Sequence, residues 1–367
     1  MNIAIVVGAR PNFIKVAPIL RAVEKNKSSQ NLSVKLVYTG KNNDSTLEDS
    51  LFCDLQIRRP DIYLDVDCEN LNELTGKVMS EFEVYLQDNA TDVVIVVDDL
   101  ASTMAVSIVT KKHGILLAHI AAGTRSFDIT MPKEINRLVI DGLSDILFTA
   151  GISNNSIANK EGAELSKVYM VGNILIDNIR HLQHSMQAPS LMEKMNLKEG
   201  EYFVFTLNRK VLMADEKKLY RVLATLVSST GHLPVIAPLR TKAAETVYRI
   251  AQSERLDISK LYLVEPQGFL DFSYLTAHAR CIVTDSGNVA EEATFNQIPC
   301  ITLNDYTENI ETVKVGTNVL VGEDTDKLNR ALDDAVKGTW KKTGIPDRWD
   351  GRTADRILQI LLDTKHK

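Results

Sequence analysis

Two stretches of the chain place anion-binding groups directly after short apolar runs. The first run ends at Gly8, and Arg10 and Lys15 follow it. A glycine there permits a tight turn, the N-terminus of a following helix favours an anion, and the two side chains add positive charge. The spacing matches neither a GxGxxG nor a Walker loop, so a capped helix with two surface bases stays open as the alternative.

The second stretch has the sequence TDSGNVAEE and spans residues 284–292. Ser286, Gly287 and Asn288 stand where a strand passes into a helix, so several backbone N–H groups are available for a diphosphate. Glu292 follows about one and a half turns later, within reach of ribose hydroxyls. The alternative is structural: Ser286 is an ordinary N-cap and Glu292 a first-turn charge.

Several further residues could act in proton transfer. Asp98 and Asp99 end the apolar run Val93–Val97, where one carboxylate could act as a base or simply cap the next helix. His119 ends another apolar run and is either a catalyst or a hydrogen-bonded core residue. After Pro132 a predicted helix start carries three polar residues, namely Glu134, Asn136 and Arg137.

These residues belong to a chain in which β-branched runs alternate with amphipathic segments, the pattern of a parallel sheet with helical crossovers. The predicted class is therefore α/β. Predicted strands are Asn2–Val7, Val34–Tyr38, Val93–Val97, Leu116–Ile120, Ile146–Phe148, Val168–Met170, Phe203–Thr206, Pro234–Ala237, Leu261–Val264, Cys281–Thr284 and Cys300–Leu303. Predicted helices include Phe13–Glu24, Leu71–Leu86, one from Gly172 to about His184, and Arg352–Leu362.

The pattern restarts after the polar stretch Ser185–Gly200, which indicates two domains. Two doubly wound sheets in series would face each other across a cleft, with the chemistry at the carboxyl ends of their strands.

Composition limits the remaining choices. The 367 residues carry a net charge of -6, so nothing draws the whole chain to nucleic acid or anionic lipid. There is no apolar run of about 18 residues, and the N-terminus lacks the features of a signal peptide, so we expect a cytoplasmic protein with no membrane partner. The four cysteines show no CxxC spacing, which favours buried thiols over a disulfide framework or a zinc site.

Several stretches, taken in order, resemble the non-hydrolysing UDP-N-acetylglucosamine 2-epimerase family. They are GARPNFIKVAPIL, AHIAAGTRS, PKEINRLVIDGLSDILF, VGNILID, GFLDFSYL, TDSGNVAEEA and VGTNVLVG. The resemblance implies a glycosyltransferase-B-like architecture of two Rossmann-like domains facing a cleft. It implies an N-terminal domain of residues 1–172 plus 352–367 and a UDP-binding domain of residues 173–351.

The resemblance also implies roles for individual residues. Arg10 and Lys15 would lie near the diphosphate or sugar, and Phe272 would contact uracil. Ser286, Gly287 and Asn288 would bind the phosphates and Glu292 the ribose. Arg209 would complete the substrate site, and the implied catalytic residues are Asp99, Glu134 and Arg137.

The family chemistry removes the C2 proton of the sugar, eliminates UDP, returns a proton on the opposite face and adds UDP back. Here Ala121 stands in place of a family glutamate, Lys133 in place of an acid and Asn208 in place of a histidine. Asn288 replaces a family glycine and Asn309 an arginine, and the family HGD turn is Val97-Asp98-Asp99.

Three hypotheses follow. The chain is a 2-epimerase of UDP-N-acetylglucosamine or a related UDP-N-acetyl sugar, serving polysaccharide biosynthesis. It is a catalytically impaired homologue that binds a nucleotide sugar as regulator or subunit. Or it performs altered chemistry on a UDP-sugar. No metal or cofactor is expected, and the resemblance suggests a homodimer.

Overall fold

The computed structural model describes residues 1–30, 32–162 and 166–365. Strands and helices alternate, as the short β-branched runs predict. Up to residue 182 the elements are β1 (Asn2–Val7), α1 (Arg10–Gln30), β2 (Ser33–Tyr38), α2 (Asp49–Leu55), β3 (Ile62–Tyr63), α3 (Leu71–Asp88), β4 (Val93–Val97), α4 (Ala101–Lys112), β5 (Leu116–Ile120), α5 (Pro132–Leu143), β6 (Ile146–Thr149), α6 (Ile152–Glu161), β7 (Lys167–Met170) and α7 (Ile174–Leu182).

The alternation then restarts and continues to the last helix. The elements are α8 (Ser190–Lys194), β8 (Phe203–Phe205), α9 (Lys210–Ala214), α10 (Glu216–Ser229), β9 (Val235–Pro238), α11 (Thr241–Ser253), β10 (Leu261–Val264), α12 (Phe269–Ala277), β11 (Cys281–Thr284), α13 (Gly287–Asn296), β12 (Cys300–Thr302), α14 (Glu311–Lys314), β13 (Asn318–Leu320), α15 (Thr325–Lys337) and α16 (Thr353–Lys365).

The first compact unit comprises Met1–His181 and Asp347–Lys367. Its parallel sheet has the strand order β3-β2-β1-β4-β5-β6-β7. All five residues of β4 are buried, as expected of a strand covered by helices on both faces. The order reverses between β1 and β4, so the loops that follow these two strands diverge and leave room for a ligand.

The second unit, Leu182–Pro346, repeats this plan. Its parallel sheet has the order β10-β9-β8-β11-β12-β13, and the reversal falls between β8 and β11. Large buried side chains form a core on each face of this sheet, with Phe203 and Phe205 of β8 on one face and Val204 on the other. The predicted class, α/β with two Rossmann-like parallel-sheet domains, is confirmed.

The unit boundaries differ from those expected at residues 172 and 352. α7 lies with the first unit because its polar side chains bond there: the Asp177 carboxylate accepts the backbone N–H groups of Thr353 (3.1 Å) and Ala354 (2.8 Å). Asn178 donates to the Ile14 carbonyl. The indole of Trp349 donates to the Ala150 carbonyl (3.0 Å), which draws residues 347–351 into the same unit.

Two strands were not predicted from the sequence, β3 and β13. They contain only two and three residues, too few for a recognisable alternation of apolar and polar side chains. α1 begins at Arg10, three residues before the predicted start, because Pro11 in the first turn of a helix costs no hydrogen bond.

The expectation of four buried thiols is wrong for two of them. Cys281 and Cys300 are buried, whereas Cys53 is exposed and Cys68 half-buried, and all four are free. Cys53 faces outward because α2 buries its other side, Leu51, Phe52 and Leu55. In the part of the chain described here, no helix combines the length and apolar character needed to cross a membrane.

Candidate functional site

In the first unit, the loop after β1 is held by Asn12. Its Oδ1 accepts the backbone N–H groups of Gly8 (3.0 Å) and Ala9 (3.1 Å), and its Nδ2 donates to the Asp98 carboxylate (2.9 Å). The same carboxylate pairs with the Lys15 ammonium at 2.6 Å. The half-buried Arg10 guanidinium has no such partner among the described residues, which leaves its charge available for an anion.

The turn after β4 carries Asp98 and Asp99, and neither caps the next helix. α4 has Leu100 as its N-cap residue, without a side-chain cap hydrogen bond, so the capping alternative is wrong. The two carboxylates diverge instead. Asp98 binds Asn12 and Lys15 of α1, and Asp99 binds Arg137 of α5.

Asp99, Glu134 and Arg137, which the sequence nominated as catalytic, form one ion-pair cluster. Two guanidinium nitrogens of Arg137 lie 2.6 and 2.8 Å from Asp99 Oδ2, and the third lies 3.1 Å from Glu134 Oε2. Burial alone would raise the pKa of Asp99, but the charges of Lys133 and Arg137 outweigh it and lower that pKa. Asp99 is therefore ionised at neutral pH.

Lys133 and Glu134 follow each other on α5 but do different things. Lys133 is 59% exposed at its side chain and lies 3.3 Å from Asp99 Oδ1. Glu134 is buried and accepts three bonds from the preceding loop, from the amide and hydroxyl of Ser126 (both 2.9 Å) and the amide of Phe127 (3.2 Å). Burial raises the pKa of Glu134, but these bonds and the one from Arg137 outweigh it, so the pKa is lowered.

A second buried cluster lies behind the Asp98–Asp99 turn. His119 bonds through one ring nitrogen to Asp141 of α5 (2.6 Å) and through the other to the carbonyl oxygen of Asp98 (3.1 Å). Arg125 pairs with the other oxygen of Asp141 at 2.8 Å. Sequence reasoning overlooked Asp141 and Arg125, although Glu134, Arg137 and Asp141 recur at spacings of three and four residues, which places three charges on one face of α5.

Ala121 adopts a left-handed backbone conformation, with φ of 68°. That conformation is unfavourable for a residue with a Cβ atom. Its methyl group stands where the family resemblance implies a carboxylate, so this loop brings no acid to the edge of the first sheet.

In the second unit, the loop after β11 leads into α13. Ser286 is the N-cap residue but makes no side-chain cap hydrogen bond, so the ordinary N-cap reading is wrong. Its amide donates to Thr284 Oγ1 (3.0 Å), which closes the turn. A Cβ atom added at Gly287 would meet nothing within 4 Å, so the helix begins in open space and its first N–H groups can receive an anion.

Asp285 connects this loop to the loop after β8. Its Oδ2 accepts the backbone N–H groups of Asn208 (2.7 Å) and Arg209 (2.6 Å). The Arg209 guanidinium in turn donates to Asn304 Oδ1 at 2.5 Å. Leu212 is buried in the core of this unit, so the segment after Arg209 is anchored by packing and offers no acid there.

Glu292 lies on α13 and is only 7% exposed. Burial, together with the charge of the neighbouring Glu291, raises the pKa of Glu292 to about 8. The structural alternative, in which Glu292 is a first-turn charge, is therefore wrong. Glu291 by contrast accepts a hydrogen bond from the side chain of Asn309.

Phe272, nominated for the uracil, is half-buried on α12. Its ring packs against the core beneath α12 and α13. The structure thus brings Asp99, Glu134 and Arg137 together in the first unit. In the second unit Ser286 is the N-cap residue of α13, and Gly287, Asn288 and Glu292 lie on that helix. Among the described residues, no group of three His, Cys, Asp or Glu side chains could hold a metal ion.

Comparison with known proteins adds a family to this geometry. Residues 24–362 match the family described as UDP-N-acetylglucosamine 2-epimerase. The chain is 32% identical to a UDP-N-acetylglucosamine 2-epimerase of Methanocaldococcus jannaschii, over 100% of both chains. It is 31% identical to a UDP-2,3-diacetamido-2,3-dideoxy-D-glucuronate 2-epimerase of Pseudomonas aeruginosa, covering 98% of this chain and 99% of the relative.

A solved structure gives the same result. The chain resembles the crystal structure of the Methanocaldococcus jannaschii UDP-GlcNAc 2-epimerase in complex with UDP-GlcNAc and UDP. The TM-score is 0.84 at 31% identity, and the match covers 98% of this chain and 99% of that one.

Proposed function

The chain belongs to the UDP-N-acetylglucosamine 2-epimerase family, and from this premise we propose that it interconverts UDP-N-acetylglucosamine and UDP-N-acetylmannosamine or the matching pair of a related UDP-N-acetyl sugar. The observation that carries the proposal is the ionised Asp99 carboxylate, held by Arg137 at the carboxyl end of β4. Because the similar proteins are epimerases, the alternative of an impaired homologue that only binds a nucleotide sugar is not favoured.

The second unit supplies the nucleotide contacts in this proposal. The N–H groups at the start of α13, from Ser286, Gly287 and Asn288, receive the diphosphate. Glu292 accepts the ribose hydroxyls, Phe272 contacts uracil, and Arg209 adds a cation fixed by Asn304. In the first unit Arg10 and Lys15 supply positive charge for an anionic group.

The chemistry begins with Asp99. Its carboxylate accepts the C2 proton, the electron pair of that C–H bond forms a C1=C2 double bond, and the C1–O bond breaks as UDP leaves. Return of a proton to the other face of C2 and re-addition of UDP at C1 give the epimer. Glu134 is a positioning residue. Its carboxylate accepts hydrogen bonds from residues 126 and 127 and from Arg137, so it holds Arg137 and that loop in place.

Turnover should be slow for two reasons. A lowered pKa makes Asp99 a weak base. Ala121 and Asn208 also remove an acid and a histidine that the family pattern places here, and each positioned proton carrier is commonly worth about 10²–10⁴ in rate. We therefore expect activity that is detectable at high enzyme concentration.

The test is conversion of UDP-N-acetylglucosamine followed by NMR of the anomeric proton. Asp99→Asn should lower the initial rate by about 10²–10⁴. Asp92→Asn is the matched control, since Asp92 is an exposed carboxylate just before the other end of β4. Its rate should equal that of the unmodified protein. Equal rates for Asp99→Asn and Asp92→Asn would refute the role of Asp99.

A homodimer in the cytoplasm is part of the same proposal. Light scattering after size exclusion should then give twice the chain mass of 40.9 kDa. A mass equal to one chain would contradict it.

A further inference from the structure

His119 connects α5 to the turn that carries Asp99. It is 2% exposed and lies near the end of β5. Its Nδ1 is 2.6 Å from Asp141 Oδ1, and its Nε2 is 3.1 Å from the carbonyl oxygen of Asp98. Both ring nitrogens are therefore engaged inside the protein.

The two partner atoms determine the orientation of the His119 ring. A carbonyl oxygen only accepts hydrogen bonds, so Nε2 donates to Asp98. Asp141 Oδ2 already receives Arg125 (2.8 Å) and the amide of Gly123 (3.0 Å). Burial raises the pKa of Asp141, but the hydrogen bond and charge of His119 and the charge of Arg125 outweigh it and lower that pKa. Asp141 is thus a carboxylate held from both sides, and its Oδ1 bonds to Nδ1 of the ring.

Ion pairs hold the cluster from behind. Arg125 pairs with Asp141 and also with Glu161 at 2.9 Å, so its guanidinium joins two carboxylates. A buried side chain whose polar atoms are all hydrogen-bonded keeps one orientation, and this holds the imidazole ring in place.

The peptide that His119 holds has an unusual conformation. Asp98 has a φ of 61°, in the left-handed region that disfavours residues with a Cβ atom. His119 bonds the carbonyl of Asp98, and Asn136 donates to the carbonyl of Asp99 at 2.8 Å. Both carbonyls of the turn are tied, and the side chain of Asp99 leaves it toward Arg137.

We propose that His119 is a positioning residue, whose Nε2–H bond to the Asp98 carbonyl keeps the turn in the left-handed conformation and so presents the Asp99 carboxylate. Asp141 and Arg125 fix the ring from behind. His119 exchanges no proton with the substrate, because both of its nitrogens are hydrogen-bonded to protein atoms. The effect on rate rests on the proposed function, whereas the effect on the turn does not.

Two variants separate the two bonds of the ring. The amide nitrogen of His119→Gln lies near the position of Nε2 and can still donate to Asp98. That of His119→Asn lies near Nδ1 and can donate only to Asp141. Leu117→Ala, in the core of the same strand, is the control for loss of stability alone.

Steady-state kinetics with UDP-N-acetylglucosamine is the first readout. In His119→Asn, kcat should fall by about 100-fold, the effect of misplacing a reacting group by about an ångström. KM should change by less than about threefold, because ground-state binding is untouched. His119→Gln and Leu117→Ala should keep most of kcat. An equal loss in all three variants, or a larger loss in His119→Gln than in His119→Asn, would refute positioning.

Crystal structures of the two histidine variants give a readout independent of activity. Asp98 should stay left-handed in His119→Gln and relax to negative φ in His119→Asn. An unchanged turn in His119→Asn would overturn the proposal. If the unmodified protein fails to epimerise while the turn still relaxes, the proposed function fails and the positioning of Asp99 by His119 stands.

Discussion

Replacing Glu292 with glutamine should change how the stability of the second unit depends on pH. Glu292 is 7% exposed, and burial together with the charge of Glu291 raises its pKa from 4.5 to about 8. A folded protein therefore retains this proton at neutral pH, whereas the unfolded chain releases it.

The sign follows from the raised pKa. The stability that the bound proton gives is fully present below pH 4.5 and is lost as the pH rises toward about 8. The full loss corresponds to about 5 kcal/mol of unfolding free energy, and about half of it falls between pH 5 and pH 7.

Glu292→Gln replaces the protonated acid with a neutral group of the same shape. Relative to the unmodified protein, the variant should gain about 2–3 kcal/mol of unfolding free energy between pH 5 and pH 7. In a unit of this size the gain equals roughly 5–10 °C in melting temperature.

Urea unfolding measures this free energy directly. Trp340 lies in the second unit and Trp349 in the first, so a Trp349→Phe background makes tryptophan fluorescence report on the second unit alone. Glu245→Gln, at an exposed carboxylate on α11, is the matched control and should show no pH-dependent gain. A gain below about 0.5 kcal/mol for Glu292→Gln would refute the raised pKa.

Three further substitutions, two of them paired with a control variant, test the backbone and the loops by thermal unfolding. Ala121→Gly should stabilise by up to about 1 kcal/mol, because φ is 68° there, whereas Ala105→Gly inside α4 should destabilise by about 1 kcal/mol; equal signs would contradict this. Gly172→Ala should cost about 3 kcal/mol or more, since its Cβ would lie 2.1 Å from a carbonyl oxygen, while Gly142→Ala should cost nothing; similar effects would contradict the close approach. Asp285→Asn should cost about 2 kcal/mol, because the two backbone N–H groups that share one oxygen of Asp285 both lose a charged acceptor; an unchanged stability would contradict the role of Asp285 in joining the two loops.

Local sequence patterns predicted the longer elements well. β1, β4, β5, β10 and β11 have the bounds that their β-branched runs predicted. β4 and β11 are buried along their whole length, and such continuous burial on both faces leaves little choice of conformation. β3 and β13 lacked a pattern because they are short, and they form only because a neighbouring strand presents an edge for pairing.

The positions of the candidate site residues could be predicted from the sequence, but most of their contacts could not. The glycine and serine of the loop before α13 marked a strand-to-helix turn, which the structure contains. The pairing of Lys15 with Asp98 joins residues 83 positions apart, and no local spacing encodes such a distance. Asp141 was overlooked because a single acid in an amphipathic helix resembles a surface charge until its partners are known.

The hypothesis of epimerisation is tested most directly by solvent exchange at C2. The protein is incubated with UDP-N-acetylglucosamine in deuterated water, and the recovered sugar is analysed by NMR and mass spectrometry. Deprotonation by Asp99 and reprotonation from solvent-exchanged groups predict deuterium at C2 together with a manno-configured product. Recovery of unlabelled UDP-N-acetylglucosamine alone, after long incubation at high protein concentration, would contradict the hypothesis.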